Sequence, residues 1–337
     1  MGGSKPFRIL CIDGGGIRGL IPAIWLCKLE ERLAKRNTSL SRSFNLICGT
    51  STGSIVAAAV ATNTDLKRVI DLFRAEGPKI FKRSWKPGRG LLTSRYGAEN
   101  LEAALKAVLG NTRLRDIPRH THLCIPAYDI GNRRTFFFQS YDPDTSGNEL
   151  WKACLASSSA PTYFPTQKFA LATGDERYLI DGGVSANNPS GIGLAEGIAL
   201  LRKKSLKDSE EARDIQLISM GTGSSTRNLS RKVVGSKGGL YWMNAILDVM
   251  FDGSSDVSDY VAEQILDSKS YVRLQFDLNA GFGSDDLDDA SPHNLQELQS
   301  AANDYVEDDG KARFQEIVSL LMPPRRTPAG PRLAAVS

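Results

Sequence analysis

What this chain of 337 residues has little of narrows it first. No stretch approaches the ~20 apolar residues that span a bilayer. The opening Met-Gly-Gly-Ser-Lys-Pro-Phe has no apolar run of signal-peptide length. It begins as a myristoylation site does, but Pro6 stands where Ser or Thr is wanted. These absences predict a cytoplasmic protein that touches a membrane only peripherally. Charge of one sign is also missing: 42 Lys and Arg face 38 Asp and Glu, a net of +4. That balance argues against a nucleic-acid polymer as partner and permits only weak attraction to an anionic surface.

Cysteine and histidine are scarce. The five cysteines are Cys11, Cys27, Cys48, Cys124 and Cys154, an odd number without zinc-like spacing. Three of them, Cys11, Cys48 and Cys124, fall in apolar runs and read as core thiols in a reducing compartment. The three histidines are His120, His122 and His293, and none sits in a motif that reads as part of a catalytic triad. There is no internal repeat and no Pro/Gly/Ser-rich linker before the C-terminal tail. We therefore expect one domain over residues 7–322, a disordered start at 1–6, and a disordered Pro- and Arg-rich tail at 323–337.

What is present is ordinary globular material, 41% hydrophobic and 24% charged, enough for a large core. Residues 7–12 form a short apolar run stopped by glycines, a buried strand. Residues 20–35 carry apolar side chains at helical spacing. A second strand at 44–48 and a helix of small residues at 54–61 follow. Strand, helix, strand, helix predicts parallel pairing in an α/β fold. Helices are expected at 65–76, 98–109, 150–158, 191–203, 239–251, 258–268 and 294–321. Strands are expected at 122–128, 133–139, 178–180, 215–220 and 271–276. The hairpin-like turn at 129–132 predicts that the strands at 122–128 and 133–139 pair.

Three motifs carry chemistry. Gly49-Thr50-Ser51-Thr52-Gly53 follows a strand and opens a helix. A serine there sits on a sharp turn, with glycines relieving the crowding and a helix N-terminus behind it. Ser51 is thus a candidate nucleophile, against the plainer reading of a solvated turn serine. Asp13-Gly14-Gly15-Gly16-Ile17-Arg18-Gly19 contains G-x-G-x-x-G and invites a dinucleotide-binding reading. The strand at 44–48 ends in Gly-Thr-Ser and offers no acidic residue for a ribose. The glycine amides suit an oxyanion hole better, with Gly15 and Gly16 as donors. Arg18 fits either a substrate phosphate or a structural ion pair. The third motif is Asp181-Gly182-Gly183 at the end of a short strand. Asp181 is the strongest carboxylate candidate for a base, although an Asp-Gly turn accounts for these residues alone equally simply.

Taken in order, Asp-Gly-Gly-Gly-Ile-Arg-Gly, Gly-Thr-Ser-Thr-Gly and Asp-Gly-Gly resemble the hallmarks of the patatin-like phospholipase family. Residues 159–165 (Ser-Ala-Pro-Thr-Tyr-Phe-Pro), 187–189 (Asn-Asn-Pro) and 219–223 (Ser-Met-Gly-Thr-Gly) match too, as does the segment from Leu287 to Leu295. The resemblance covers about residues 7–320. Gly183 departs from the more frequent Asp-Gly-Ala, small for small. The resemblance implies a three-layer α/β/α sandwich with a mostly parallel central sheet. It implies a Ser51–Asp181 dyad, an oxyanion hole at Gly14, Gly15 and Gly16, and Arg18 near the substrate phosphate. Gly19, Gly49, Gly53, Gly182 and Gly183 are its remaining motif glycines. The activity implied is hydrolysis of acyl esters of glycerophospholipids, with no metal or cofactor. A catalytically quiet lipid-binding or storage protein is the alternative on the same fold. Some bacterial members are antiviral defence effectors switched on by cyclic nucleotides, which adds a cyclic nucleotide activator and a homo-oligomer to the expectations.

Three other features have plain readings. Asp285, Asp286, Asp288 and Asp289 lack the EF-hand pattern and read as a solvated helix entry. Phe136, Phe137 and Phe138 read as a buried hairpin strand rather than an acyl pocket. The basic, aromatic stretch at 79–96 reads as a loop or lid, with contact at a membrane interface as the alternative.

Overall fold

The computed structural model describes residues 6–82, 93–171, 173–204, 215–224, 239–278 and 284–322. The tail at 323–337, nearly all of the N-terminal segment 1–6 and most of the 79–96 loop lie outside the described residues.

Among the described residues eight strands form one sheet: β1 (Phe7–Ile12), β2 (Leu46–Gly49), β3 (His122–Asp129), β4 (Arg134–Gln139), β5 (Gln167–Ala170), β6 (Glu176–Asp181), β7 (Ile215–Met220) and β8 (Tyr271–Leu274). The order is β5-β6-β3-β2-β1-β7-β8, with β4 on the other edge of β3. The run β3-β2-β1-β7-β8 is parallel, while β4 and β6 are antiparallel to β3. The sequence explains the central strands. Ile9, Leu10, Cys11 and Ile12 are all fully buried, as are Leu46, Ile47 and Cys48. A strand with no polar face must be covered on both sides, as in α/β sheets.

That cover makes the expected three layers. Leu10 and Ile12 join one core with α1 (Leu20–Ala34), α2 (Thr52–Thr62), α3 (Glu99–Leu109) and α4 (Leu150–Ser157). Ile9 and Cys11 face the other way, onto α5 (Ser190–Lys204), and α6 (Gly239–Ile265) packs on α5. α7 (Pro292–Glu307) and α8 (Lys311–Leu321) complete the first layer.

The topology at β3 positions the site. Residues 122–124 of β3 pair with β2, and residues 127–129 pair with β6 along the same edge. β2 is parallel to β3 and β6 antiparallel, so the C-terminal ends of β2 and β6 meet head to head. Pro126, which has no N–H to offer a ladder, stands at that junction.

The structure corrects several expected boundaries. The helices expected at 239–251 and 258–268 are one, α6, running through Gly253. That glycine weakens the helix by about 1 kcal/mol, too little to break it against its packed partners. The helix expected at 294–321 is two, α7 and α8, separated where Gly310 lies against the Tyr305 ring. Strand β5 was not foreseen. The helix expected at 65–76 is Leu66–Asp71 continued by a π-helical turn, Leu72–Glu76, and a last turn, Gly77–Ile80.

Candidate active site

Ser51 follows β2 and caps α2 with φ 52° and ψ −129°, a strained conformation for a residue with a side chain. A serine at this position ordinarily turns its hydroxyl back onto the helix amides. Here the side chain makes no such capping bond. The strained turn aims it across the head-to-head junction, where Ser51 Oγ donates to Asp181 Oδ2 at 2.6 Å. Ser157 fixes the turn from behind. Its hydroxyl accepts from the Ser51 amide at 2.9 Å and donates to the Pro126 carbonyl at 2.6 Å. Gly53 is needed because a Cβ there would lie 2.4 Å from the Asp13 carbonyl oxygen and 2.5 Å from that of Ile12. Without that clearance α2 could not begin against the end of β1.

Asp181 ends β6 and is 1% exposed. Its amide donates to the Ser159 carbonyl at 2.9 Å, and the Gly182 amide donates to that of Ser157 at 3.1 Å. Its second oxygen, Oδ1, accepts from the Gly183 amide at 2.7 Å. Burial disfavours the charged carboxylate, and the hydrogen bonds from Ser51 and Gly183 favour it. Burial wins, and the Asp181 carboxyl is pushed up to about 7. No histidine takes part: His120 is exposed, His122 stacks edge-on against Tyr141, and His293 lies in the first turn of α7.

The glycine loop abuts the serine, since a Cβ on Gly14 would lie 3.0 Å from Ser51 Cβ. The loop is held at several points. The Gly14 amide donates to the Asn187 carbonyl at 3.0 Å, and its carbonyl accepts from Thr222 Oγ1 at 2.9 Å. The Ile17 amide donates to the Leu287 carbonyl at 2.9 Å. Among the described residues no hydrogen bond engages the amide of Gly15 or of Gly16. Of the three amides expected as oxyanion donors, that of Gly14 is already committed, and those of Gly15 and Gly16 are not. Gly16 has φ +57° and faces the Leu287 carbonyl so closely that a Cβ would come within 2.2 Å.

Arg18 is buried, not splayed toward solvent. Its Nε donates to the Gly15 carbonyl at 3.4 Å and its Nη1 to the Gly223 carbonyl at 3.2 Å. Gly15 O also accepts from the Arg18 amide at 3.1 Å. In a trans peptide the Gly16 N–H points opposite to the Gly15 C=O. Arg18 therefore turns the Gly16 amide away from itself, and Gly16 lines the hollow that Ser51 opens into.

That hollow is almost wholly apolar, walled by Ile17, Ile55, Phe73, Phe81, Phe164 and Phe251 around Ser51 and Asp181. It encloses about 580 Å³, a figure that includes the open space at its mouth. Leu72 and Phe73 reach it from the π-helical turn, a local irregularity that recurs at functional sites. The Phe136–Phe138 run lies elsewhere; Phe138 is fully buried against Phe136 and Phe169, as the sequence predicts.

The family profile described as Patatin-like phospholipase matches residues 10–192, which hold Ser51, Asp181 and the glycine loop. The chain belongs to this family. Patatin-like protein 4 of Arabidopsis thaliana is 32% identical, over 87% of this chain and 81% of that protein. Patatin-like protein 1 of Oryza sativa subsp. indica is 33% identical, over 79% and 73% respectively. A third relative, from Solanum tuberosum and named "Probable inactive patatin-3-Kuras 1", is 31% identical over 85% and 83%.

In this patatin-like chain the family motifs converge on one place. Gly19, Gly49, Gly182 and Gly183 are each packed so closely that a Cβ would come within 2.8 Å of a neighbouring atom. Two supporting residues were not foreseen. Ser157 gave no signal within Ser-Ser-Ser. Arg273 did give one, a charge inside the apolar strand β8, which demands a buried partner. Its Nη2 pairs with Asp13 Oδ2 at 2.7 Å, its Nη1 donates to Ser219 Oγ at 2.6 Å, and its Nε faces Asp259 at 3.4 Å. Asp13 is the residue before the glycine loop, so this buried pair anchors the loop's entry.

The acidic segment is also more than a solvated helix entry. Asp288 accepts from Arg95 Nη1 at 2.9 Å and from Tyr96 Oη at 2.5 Å, and its neighbour Leu287 supplies the carbonyl that holds Ile17. Among the described residues no cluster of His, Cys, Asp and Glu could hold a metal. No described helix is long and apolar enough to cross a membrane.

Proposed function

We propose that this patatin-like protein hydrolyses fatty-acyl esters of glycerophospholipids, as a phospholipase of the A type, through Ser51 and Asp181. The observation that carries the reading is the 2.6 Å hydrogen bond from Ser51 Oγ to Asp181 Oδ2 beside an apolar hollow. Ser51 Oγ attacks the ester carbonyl as Asp181 takes its proton. The Gly15 and Gly16 amides receive the oxyanion, each such donor lowering the barrier by roughly 3 kcal/mol. The tetrahedral intermediate collapses, and the alkoxide leaves with the proton from Asp181. Water then releases the fatty acid from Ser51 by the same steps in reverse order.

Arg18 serves this chemistry by holding the loop. Its Nε and Nη1 donate to carbonyl groups and its charge also acts on Asp252, which favours that role over a contact with the substrate phosphate. Arg18→Ala should then cost equally on a phospholipid and on an uncharged ester. A loss confined to the phospholipid would restore the phosphate role.

Contact with a bilayer is part of the proposal. Ile246, Val249, Met250, Val257 and Tyr260 are exposed on α6. At 100° per residue they share one face over about 21 Å. Phe251, about 150° round the same helix and so on its opposite side, lines the hollow.

A fluorophosphonate probe tests the reading directly. It should label the wild type and not Ser51→Ala, and Asp181→Ala should lose ester hydrolysis while staying folded. A wild type that binds lipid but neither labels nor turns over would instead be a lipid-binding protein.

A further inference from the structure

Three consecutive serines run from the end of α4 into the site, and two of their hydroxyls are spent on the backbone. Ser157 Oγ bridges the Ser51 amide and the Pro126 carbonyl. Ser159 Oγ donates to the Leu155 carbonyl at 2.8 Å. Ser158 differs. It is 4% exposed, and among the described residues its Oγ has no hydrogen-bond partner. It lines the hollow together with Ser51 and Asp181.

A buried hydroxyl left unpaired costs stability unless something in the working cycle pairs with it. The hollow's walls are apolar, so the partner has to arrive with the reaction. The backbone places Ser158 beside the base. Its two neighbours, Ser157 and Ser159, give their carbonyls to the amides of Gly182 and Asp181. Among the described residues, Thr52 Oγ1 is the other buried hydroxyl without a partner in this hollow. It lies toward Gly19, and no backbone bond ties Thr52 to Asp181.

We propose that Ser158 holds the water that cleaves the acyl-enzyme, a role that rests on Ser51 being the acylated nucleophile. The water gives one hydrogen bond to Ser158 Oγ and the other to Asp181 Oδ2, which turns its lone pair to the acyl carbon. As the water oxygen bonds to that carbon, its proton passes to Asp181. The C–O bond to Ser51 then breaks, Ser51 Oγ recovers the proton from Asp181, and the fatty acid leaves. Atoms and charge balance with water as the only co-reactant. Acylation needs no such water, so the role separates the two half-reactions.

The test is rapid-mixing kinetics on a p-nitrophenyl ester with Ser158→Ala and Ser158→Thr. In Ser158→Ala the burst of nitrophenol should keep its rate, and kcat should fall about tenfold, one hydrogen bond's worth. KM should fall with it, leaving kcat/KM unchanged, and the protein should accumulate as the acylated form by mass. Ser158→Thr, which keeps a hydroxyl, should retain most of the turnover. Hydroxylamine, a nucleophile strong enough to dispense with the positioning, should restore turnover in Ser158→Ala. A burst slowed in step with kcat would overturn the proposal and leave Ser158 a packing residue, as would an unchanged kcat. Failure of the wild type to react with fluorophosphonate would overturn the Ser51 reading itself, a separate outcome.

Discussion

Moving the pH across neutrality should switch the activity, because the proposed base, Asp181, is a carboxyl whose burial pushes it up to about 7. The active form is the ionised one. With that midpoint, about a tenth of the molecules carry a charged Asp181 at pH 6 and about nine-tenths at pH 8. The rate should therefore climb roughly tenfold over those two units. The assay is kcat/KM on a soluble uncharged ester, which reports the free enzyme and removes any titration of the substrate. An ordinary aspartate would put the midpoint near 4 and leave the profile flat above pH 6.

Stability must move the opposite way. The native carboxyl holds its proton more tightly than the unfolded chain, whose carboxyl has the ordinary value of 3.8. Its contribution is therefore fully present below pH 3.8 and is lost as pH rises through about 7. Asp181→Asn escapes that loss, so relative to wild type it should gain stability between pH 4 and 8, by an amount on the order of a few kcal/mol. A midpoint near 4 in the rate, together with a stability difference that does not change with pH, would refute a buried neutral Asp181 as the resting base.

Gly16→Ala should cut kcat by about 10²–10³, since the new methyl meets the Leu287 carbonyl and displaces one oxyanion donor; an unchanged kcat on the soluble ester would remove Gly16 from that role. Arg273→Met leaves Asp13 buried and unpaired, and denaturant melts should show a loss of roughly 3–5 kcal/mol. Ser157→Ala should cost about 1–3 kcal/mol in the same melts, because the Ser51 amide and the Pro126 carbonyl lose their bridge. Met250→Asp with Val257→Asp should weaken sedimentation with phosphatidylcholine vesicles and slow hydrolysis there, yet leave a soluble ester untouched; equal losses on both substrates would place the defect in the fold.

The sequence made the layers legible because central strands buried on both faces leave an unbroken apolar signature. Ile9 to Ile12 and Leu46 to Cys48 carry it, and the predicted parallel pairing followed. Edges were less legible. β5 reads Gln-Lys-Phe-Ala and buries only Phe169 firmly, so it has no periodicity to find. The break between α7 and α8 turns on Gly310 against Tyr305, a contact made by tertiary packing. In the site, Ser51, Asp181 and the loop glycines were named from motifs. The commitment of the Gly14 amide to Asn187 could not be, because it depends on where a segment some 170 residues away returns.

On the proposed mechanism, the same distance in sequence explains how a carboxylate takes the place of a histidine. A carboxylate in water is too weak a base to take a serine proton efficiently near neutral pH. It gains strength only where desolvation raises its pKa, and that requires burial with few donors. β3 supplies the place, since a single edge carries β2 and β6 end to end, and the junction lies inside the sheet under helices on both faces. Asp181 reaches Ser51 there with two hydrogen bonds to its carboxylate, from Ser51 and from Gly183. Each further donor would pull the carboxyl back toward its ordinary value and weaken the base. The topology thus sets the proton affinity as well as the distance. A substitution that opens the junction to water, such as Phe251→Ala beside Gly183, should lower the rate midpoint below about 7 and reduce the plateau on the soluble ester. A midpoint that stayed in place while the plateau fell would mean that Phe251 shapes the acyl site and leaves the base alone.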